Sequence, residues 1–145
     1  MATLLIVDDD TLIRNMLHDV LSASHECHTA DRAEQALAYL EIETYDAVLT
    51  DLSMPGLSGR EILNYVQEKH PATPVIVISG NPEGGYGKEV IEMGAFAFFA
   101  KPFNLDEVEA AVNRAIVRHH ELASGNQSED PPASEPSSTD TDISN

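Results

Sequence analysis

Four short apolar runs, each ending on a polar residue, constrain this chain more than any other feature. Leu4-Leu5-Ile6-Val7 runs into Asp8-Asp9-Asp10, and Ala47-Val48-Leu49-Thr50 into Asp51. Val75-Ile76-Val77-Ile78 runs into Ser79, and the segment from Phe96 to Phe99 leads to Lys101-Pro102. A strand that is apolar without alternation is buried on both faces, which is the condition of a parallel sheet covered by helices. The spacing predicts strands near Thr3 to Val7, Glu26 to Thr29, Asp46 to Thr50, Pro74 to Ile78 and Phe96 to Phe99. Helical spacing falls near Thr11 to Ala23, Arg32 to Ile42, Ser58 to Lys69, Glu83 to Met93 and Leu105 to about Glu121. The predicted class is α/β, a doubly wound five-stranded parallel sheet with five helices.

Several predicted helices open with a capping oxygen followed three residues later by an acid that reaches back to free amides. Asp31 with Glu34, Ser58 with Glu61 and Asn104 with Glu107 have this spacing. The fourth helix has Asn81 and Pro82 at its start, but Gly84, Gly85 and Gly87 each cost it about 1 kcal/mol relative to Ala, so its first turn is expected to be labile. The apolar stripe Val108, Ala111, Val112, Ala115 reads as core. Residues 123–145 contain only Ala123, Ala133 and Ile143 as apolar residues. They are expected to form a disordered acidic tail after a domain spanning residues 1–122.

The formal net charge is −17, from 8 basic and 25 acidic residues. Five acids and no bases lie in the tail, so the folded part carries 8 bases against 20 acids, or −12. Such a field repels polyanions, so no direct binding to nucleic acid or an anionic membrane is expected, whereas cations and basic protein surfaces are suitable partners. No apolar run approaches the roughly 18 residues of a membrane span, and the start has no basic signal-peptide region. The single Cys27 fits a reducing compartment. A cytoplasmic location is expected.

In an open parallel sheet the functional crevice lies at the carboxyl ends of the strands. That edge collects Asp8, Asp9, Asp51, Ser79 and Lys101. Like-charged carboxylates about 4 Å apart cost about 4 kcal/mol per pair at an effective dielectric near 20, so either some protonate or a cation joins them. Mg²⁺ uses few carboxylates, keeps waters and shares its shell with phosphates, which suits this set better than a Ca²⁺ cage; the lack of His or Cys argues against zinc.

These segments resemble the receiver domains of bacterial two-component response regulators. The matching pieces are Leu5-Ile6-Val7-Asp8-Asp9-Asp10, Thr50-Asp51-Leu52-Ser53-Met54-Pro55-Gly56 with Gly59, Ile78-Ser79-Gly80, and Gly94-Ala95-Phe96-Ala97-Phe98-Phe99-Ala100-Lys101-Pro102-Phe103. The resemblance covers residues 3 to 121 and implies a flavodoxin-like sheet of order 2-1-3-4-5. It implies that Asp51 accepts a phosphoryl group from the phosphohistidine of a sensor histidine kinase or histidine phosphotransfer protein. It further implies that Asp9 and Asp51 ligate Mg²⁺, that Asp8 acts on it through water, and that Ser53 offers its carbonyl. Ser79 would bond the phosphoryl oxygens, Lys101 would pair with the group, and Lys101-Pro102 is expected to be cis. Phe98, three residues before the lysine, would rotate into the space Ser79 vacates and alter the surface of the fourth helix, fifth strand and fifth helix for a downstream protein target. Many relatives carry an acidic pair where this chain has Phe96 and Ala97. Period two puts Phe96 on the same side as Phe98, so a partly exposed apolar edge, usable by a partner or in a homodimer, is expected.

Other readings are less economical. A haloacid-dehalogenase-like phosphatase would use Asp8 as nucleophile with Asp10 two residues on, but Leu12 replaces the expected Thr or Val and a later glycine-aspartate loop is missing. A receiver-like scaffold that is never phosphorylated conflicts with the complete set of site residues. As a stand-alone regulator, a phosphorelay intermediate or a fragment, the domain is expected to catalyse only its own phosphorylation and dephosphorylation. Gly84-Gly85-Tyr86-Gly87-Lys88 fails as a phosphate loop because Pro82 and Glu89 occupy required positions. His25, Cys27 and His28 read as edge-strand residues, and His119 and His120 as complements to the negative end of the last helix.

Overall fold

The computed structural model describes residues 2–52, 54, 56–80 and 86–123, with Tyr86 described in its backbone only. Five parallel strands, β1 (Thr3–Val7), β2 (Glu26–Ala30), β3 (Ala47–Asp51), β4 (Val75–Ser79) and β5 (Ala97–Ala100), form one sheet in the order β2-β1-β3-β4-β5. The helices between and after them are α1 (Thr11–Leu21), α2 (Ala33–Ile42), α3 (Gly59–Lys69), α4 (Tyr86–Glu92) and α5 (Leu105–Ala123). The flavodoxin-like arrangement expected from the sequence is the one observed.

Period two divides the apolar strand residues between two layers. Leu5, Val7, Val48, Val75 and Val77 meet α2, α3 and α4 through Ala36, Leu40, Ile62, Val66 and Val90. Leu4, Ile6, Leu49, Ile76 and Ile78 meet α1 and α5 through Leu17, Leu21, Val108, Val112 and Ile116. Truncating any of these buried Leu or Ile side chains to Ala costs about 2–5 kcal/mol, because the close-packed layers collapse only partly around the void.

Of the three capping spacings, Ser58 and Asn104 cap their helices and Asp31 does not, while Asp10 supplies a further cap. Ser58 and Glu61 form the reciprocal cap of α3, with the Ser58 amide donating to Glu61 Oε1 at 2.7 Å. Asn104 Oδ1 accepts from the Asp106 and Glu107 amides at the start of α5. Asp10 Oδ1 accepts from the Leu12 and Ile13 amides at the start of α1. Asp31 does not cap α2; the cap position is Arg32, which makes no side-chain capping bond, and the Asp31 amide instead donates to Gln35 Oε1. The chain enters that helix one residue later than the spacing suggests, so the Asp31 carboxylate turns to the Arg32 guanidinium at 3.1 Å. The expected cap at Asn81 and Pro82 and the tail after Ala123 lie outside the described residues.

Phe96 also departs from expectation. It precedes the first residue of β5, and although its amide donates to the Val75 carbonyl at 2.8 Å, its side chain does not follow the alternation of the strand. It is half-buried against the layer of α1 and α5, whereas Phe98 packs on the opposite face with Val77 and Val90.

Candidate functional site

Four of the five strands, β1, β3, β4 and β5, each deliver one polar group at their carboxyl ends. Asp8 follows β1 and is 1% exposed; its Oδ1 accepts from the Asp10 amide at 2.8 Å. Asp51 is the last residue of β3 and is 4% exposed. Lys101 follows β5, and its amide donates to the Ser79 carbonyl at 2.7 Å, extending the pairing of β4 and β5 by one residue. From there Lys101 Nζ reaches Asp8 Oδ2 at 3.1 Å and Asp51 Oδ2 at 3.4 Å. The Lys101-Pro102 peptide is cis, as expected.

Asp9, exposed at the rim, completes the acidic group. One oxygen from each of Asp8, Asp9 and Asp51 lies within 4.8 Å of the other two. Asp8 and Asp51 share one ammonium with Asp9 close beside them, and full ionisation of the three leaves a surplus of two negative charges. Burial raises the Asp8 pKa above its ordinary value, and the Asp10 amide and Lys101 only partly offset this. For Lys101, burial acts to lower the pKa, but the charges and hydrogen bonds of Asp51 and Asp8 outweigh it and the net direction is upward. The donor set is hard oxygen with few carboxylates, which fits Mg²⁺ and the surplus of two charges.

Ser79 ends β4 fully buried, one residue beyond Ile78, whose register partner on β3 is Asp51. Phe98 pairs in register with Val77, and Ala100 with Ser79. Ser53 lies outside the described residues. Asp10, the second acid of the phosphatase-like alternative, is committed to capping α1 and is absent from the converging group.

Two features escape a reading of local pattern. A Cβ at Gly59 would overlap the Asp51 carbonyl oxygen and lie 3.0 Å from Leu52 Cα, so only glycine lets α3 start against the backbone that carries Asp51. The available signal was a glycine at the first helical position after the Ser58 cap. Arg14 Nη1 donates to the Asp8 carbonyl at 2.7 Å, holding the first turns of α1 to the end of β1.

The chain matches the family described as response regulator receiver domain over residues 4–113. It is 36% identical over 117 residues to the DNA-binding transcriptional regulator NtrC of Salmonella typhimurium, covering 80% of this chain and 25% of that protein. It thus spans about a quarter of the length of the curated relatives it matches. Its fold is similar to a response regulator receiver domain protein from Clostridium thermocellum, with TM-score 0.78, 30% identity, and coverage of 84% of this chain and 99% of that one. It is also similar to the response regulator TrrA from Thermotoga maritima, solved in complex with Mg²⁺-BeF, with TM-score 0.71, 30% identity, and coverage of 79% and 99%.

Proposed function

The chain belongs to the response regulator receiver domain family, and from that premise we propose that it is a phosphorylatable switch in which Asp51 is the acceptor. The carrying observation is Lys101 Nζ bridging Asp8 and Asp51 while a third carboxylate, Asp9, stands within 4.8 Å. The donor is the phosphohistidine of a histidine kinase or histidine phosphotransfer protein. An Asp51 carboxylate oxygen attacks phosphorus in line; the O–P bond forms as the N–P bond breaks, and the departing imidazole nitrogen keeps the electron pair.

Lys101 neutralises charge gathering on one phosphoryl oxygen, and the buried Ser79 hydroxyl receives another when it turns toward the group. Asp8, Asp9 and Asp51, with the Ser53 carbonyl, are the residues to hold Mg²⁺, which when bound supplies the remaining positive charge. That the similar TrrA was solved in complex with Mg²⁺-BeF supports Mg²⁺ as the ion. Transfer adds roughly two negative charges at Asp51, and the shift of Ser79 and Phe98 passes this change to the surface of α4, β5 and α5, where a protein target reads it.

The relatives named as DNA-binding are about four times as long as the stretch they share with this chain. The absence of direct nucleic-acid contact is therefore proposed for these residues alone, on their negative charge. No helix among the described residues is long and apolar enough to cross a membrane. Half-buried Phe96 lines a cavity of about 300 Å³ with Gln67, Thr73, Arg118 and Leu122, at the end of the sheet away from Asp51. Self-association through this edge predicts that Phe96→Ala weakens a dimer in sedimentation; an unchanged sedimentation profile removes the proposal.

The test of the main reading is intact mass after incubation with a small-molecule phosphodonor. An adduct of about 80 Da, one phosphoryl group, is expected on the native chain with Mg²⁺. It should be absent with a chelator and absent from Asp51→Asn. An adduct of equal yield on Asp51→Asn overturns the assignment.

A further inference from the structure

Gly87, in the first turn described for α4, faces the ring of Phe98. A Cβ built there would lie 2.9 Å from Phe98 Cδ2, 3.1 Å from Cε2 and 3.4 Å from Cγ, and no other residue supplies any of its three nearest atoms. The ring therefore lies directly on the glycine backbone. Its other neighbours are core residues of the same layer, among them Val77, its register partner, and Val90 from α4. These are fixed by close packing, so the open side of this berth depends on Gly87 lacking a side chain.

The register connects this berth to the site. Val77 pairs with Phe98 and Ser79 with Ala100, and period two puts all four on one face of the sheet. Phe98 is thus the large side chain one step diagonal from Ser79. A phenylalanine χ1 has three staggered wells, and a ring displaced from one must occupy another.

We infer that Gly87 is a positioning residue that sets the resting state of the switch by giving the Phe98 ring its berth on α4. The inference rests on the switch reading above. Any side chain at Gly87 expels the ring, which then occupies the space near Ser79 and favours the arrangement with the Ser79 hydroxyl turned toward the phosphoryl group. Linkage requires the reverse effect too: a chain biased to that arrangement binds a phosphoryl mimic more tightly.

The test uses beryllofluoride with Mg²⁺ as the mimic, on the full chain. Gly87→Ala is expected to bind it about 5-fold tighter or more, the lower range of coupling between two sites. Fluorine NMR of 4-fluorophenylalanine placed at position 98 should show the unliganded Gly87→Ala ring shifted toward the native chain's beryllofluoride-bound position. Because alanine also strengthens a helix, the decisive arm is Phe98→Ala, with and without Gly87→Ala. If Gly87 acts through the ring, its substitution changes affinity in the native background and not in the Phe98→Ala background. An equal gain in both backgrounds, or no gain in either, overturns the inference while leaving the phosphorylation reading intact. Mimic binding that survives Asp51→Asn overturns both.

Discussion

The two ends of the sheet each place an aspartate beside a nitrogen-bearing side chain, half-buried Asp46 at one end and buried Asp8 and Asp51 at the other, and they do opposite things with it. At the amino end Asp46, just before β3, is engaged on both oxygens: its Oδ2 accepts from the Thr3 amide at 2.7 Å, and its Oδ1 lies 3.2 Å from His120 Nε2 and 3.3 Å from His119 Nε2. His119 is itself fixed by Nδ1 on the Ala72 carbonyl at 2.9 Å. One carboxylate there holds the starts of β1 and β3 to the last turns of α5. At the carboxyl end Asp8 and Asp51 share Lys101 with Asp9 close beside them, and burial holds Asp8 above its usual carboxylate range. A satisfied acid is a fastener. A surplus of acids that the fold keeps together at a cost marks the end where something else must bind.

The largest effect separating the two ends is expected at Lys101. Lys101→Ala should slow phosphoryl uptake by about 10²–10³-fold, the usual loss when one preorganised charge on the reacting oxygens is removed. Asp46→Ala should leave that rate within about twofold, since it lies at the far end of β3. Single-turnover kinetics by intact mass would read both; similar losses from the two variants would erase the distinction.

Stability should reverse the order. Asp46→Ala strands the Thr3 amide and removes the partner of His120 Nε2, so it should cost about 1–3 kcal/mol in denaturant unfolding. Asp8→Asn should do the opposite without metal and raise Tm by roughly a few degrees at neutral pH. The sign follows from the raised pKa: the native state binds the Asp8 proton more tightly than the unfolded chain, so stability falls as pH rises through the native pKa. The gain from Asn should therefore shrink as pH is lowered into the carboxylate range, and Mg²⁺ should reverse it by stabilising only the native chain. A loss of Tm in Asp8→Asn without metal would contradict the surplus-charge account.

The chemistry of the carboxyl end was legible because one apolar run per strand points its last residue there, so Asp8, Asp51, Ser79 and Lys101 could be gathered from pattern alone. The Asp46 fastener was not legible. Asp46 and His120 are 74 residues apart, and the two histidines read equally well as complements to a helix end. Period two misplaced Phe96 because it precedes the first residue of β5: its amide still donates to the Val75 carbonyl at 2.8 Å, but its side chain packs with the layer of α1 and α5. The Asp31 spacing misled because a cap depends on the backbone angle of entry, which was taken by Arg32. Gly59 and Gly87 share a further lesson: the sequence prints a glycine, but only packing shows whether it sits against Asp51 or against the ring of Phe98.

The most direct measurement is to identify the atom that carries the phosphoryl group. Borohydride reduces an aspartyl phosphate to homoserine, which peptide sequencing by mass spectrometry then places in the chain. After treatment with phosphodonor and Mg²⁺, homoserine at position 51 and at no other aspartate is the predicted result. Homoserine at position 8 would contradict the account and return the chain to the phosphatase-like alternative.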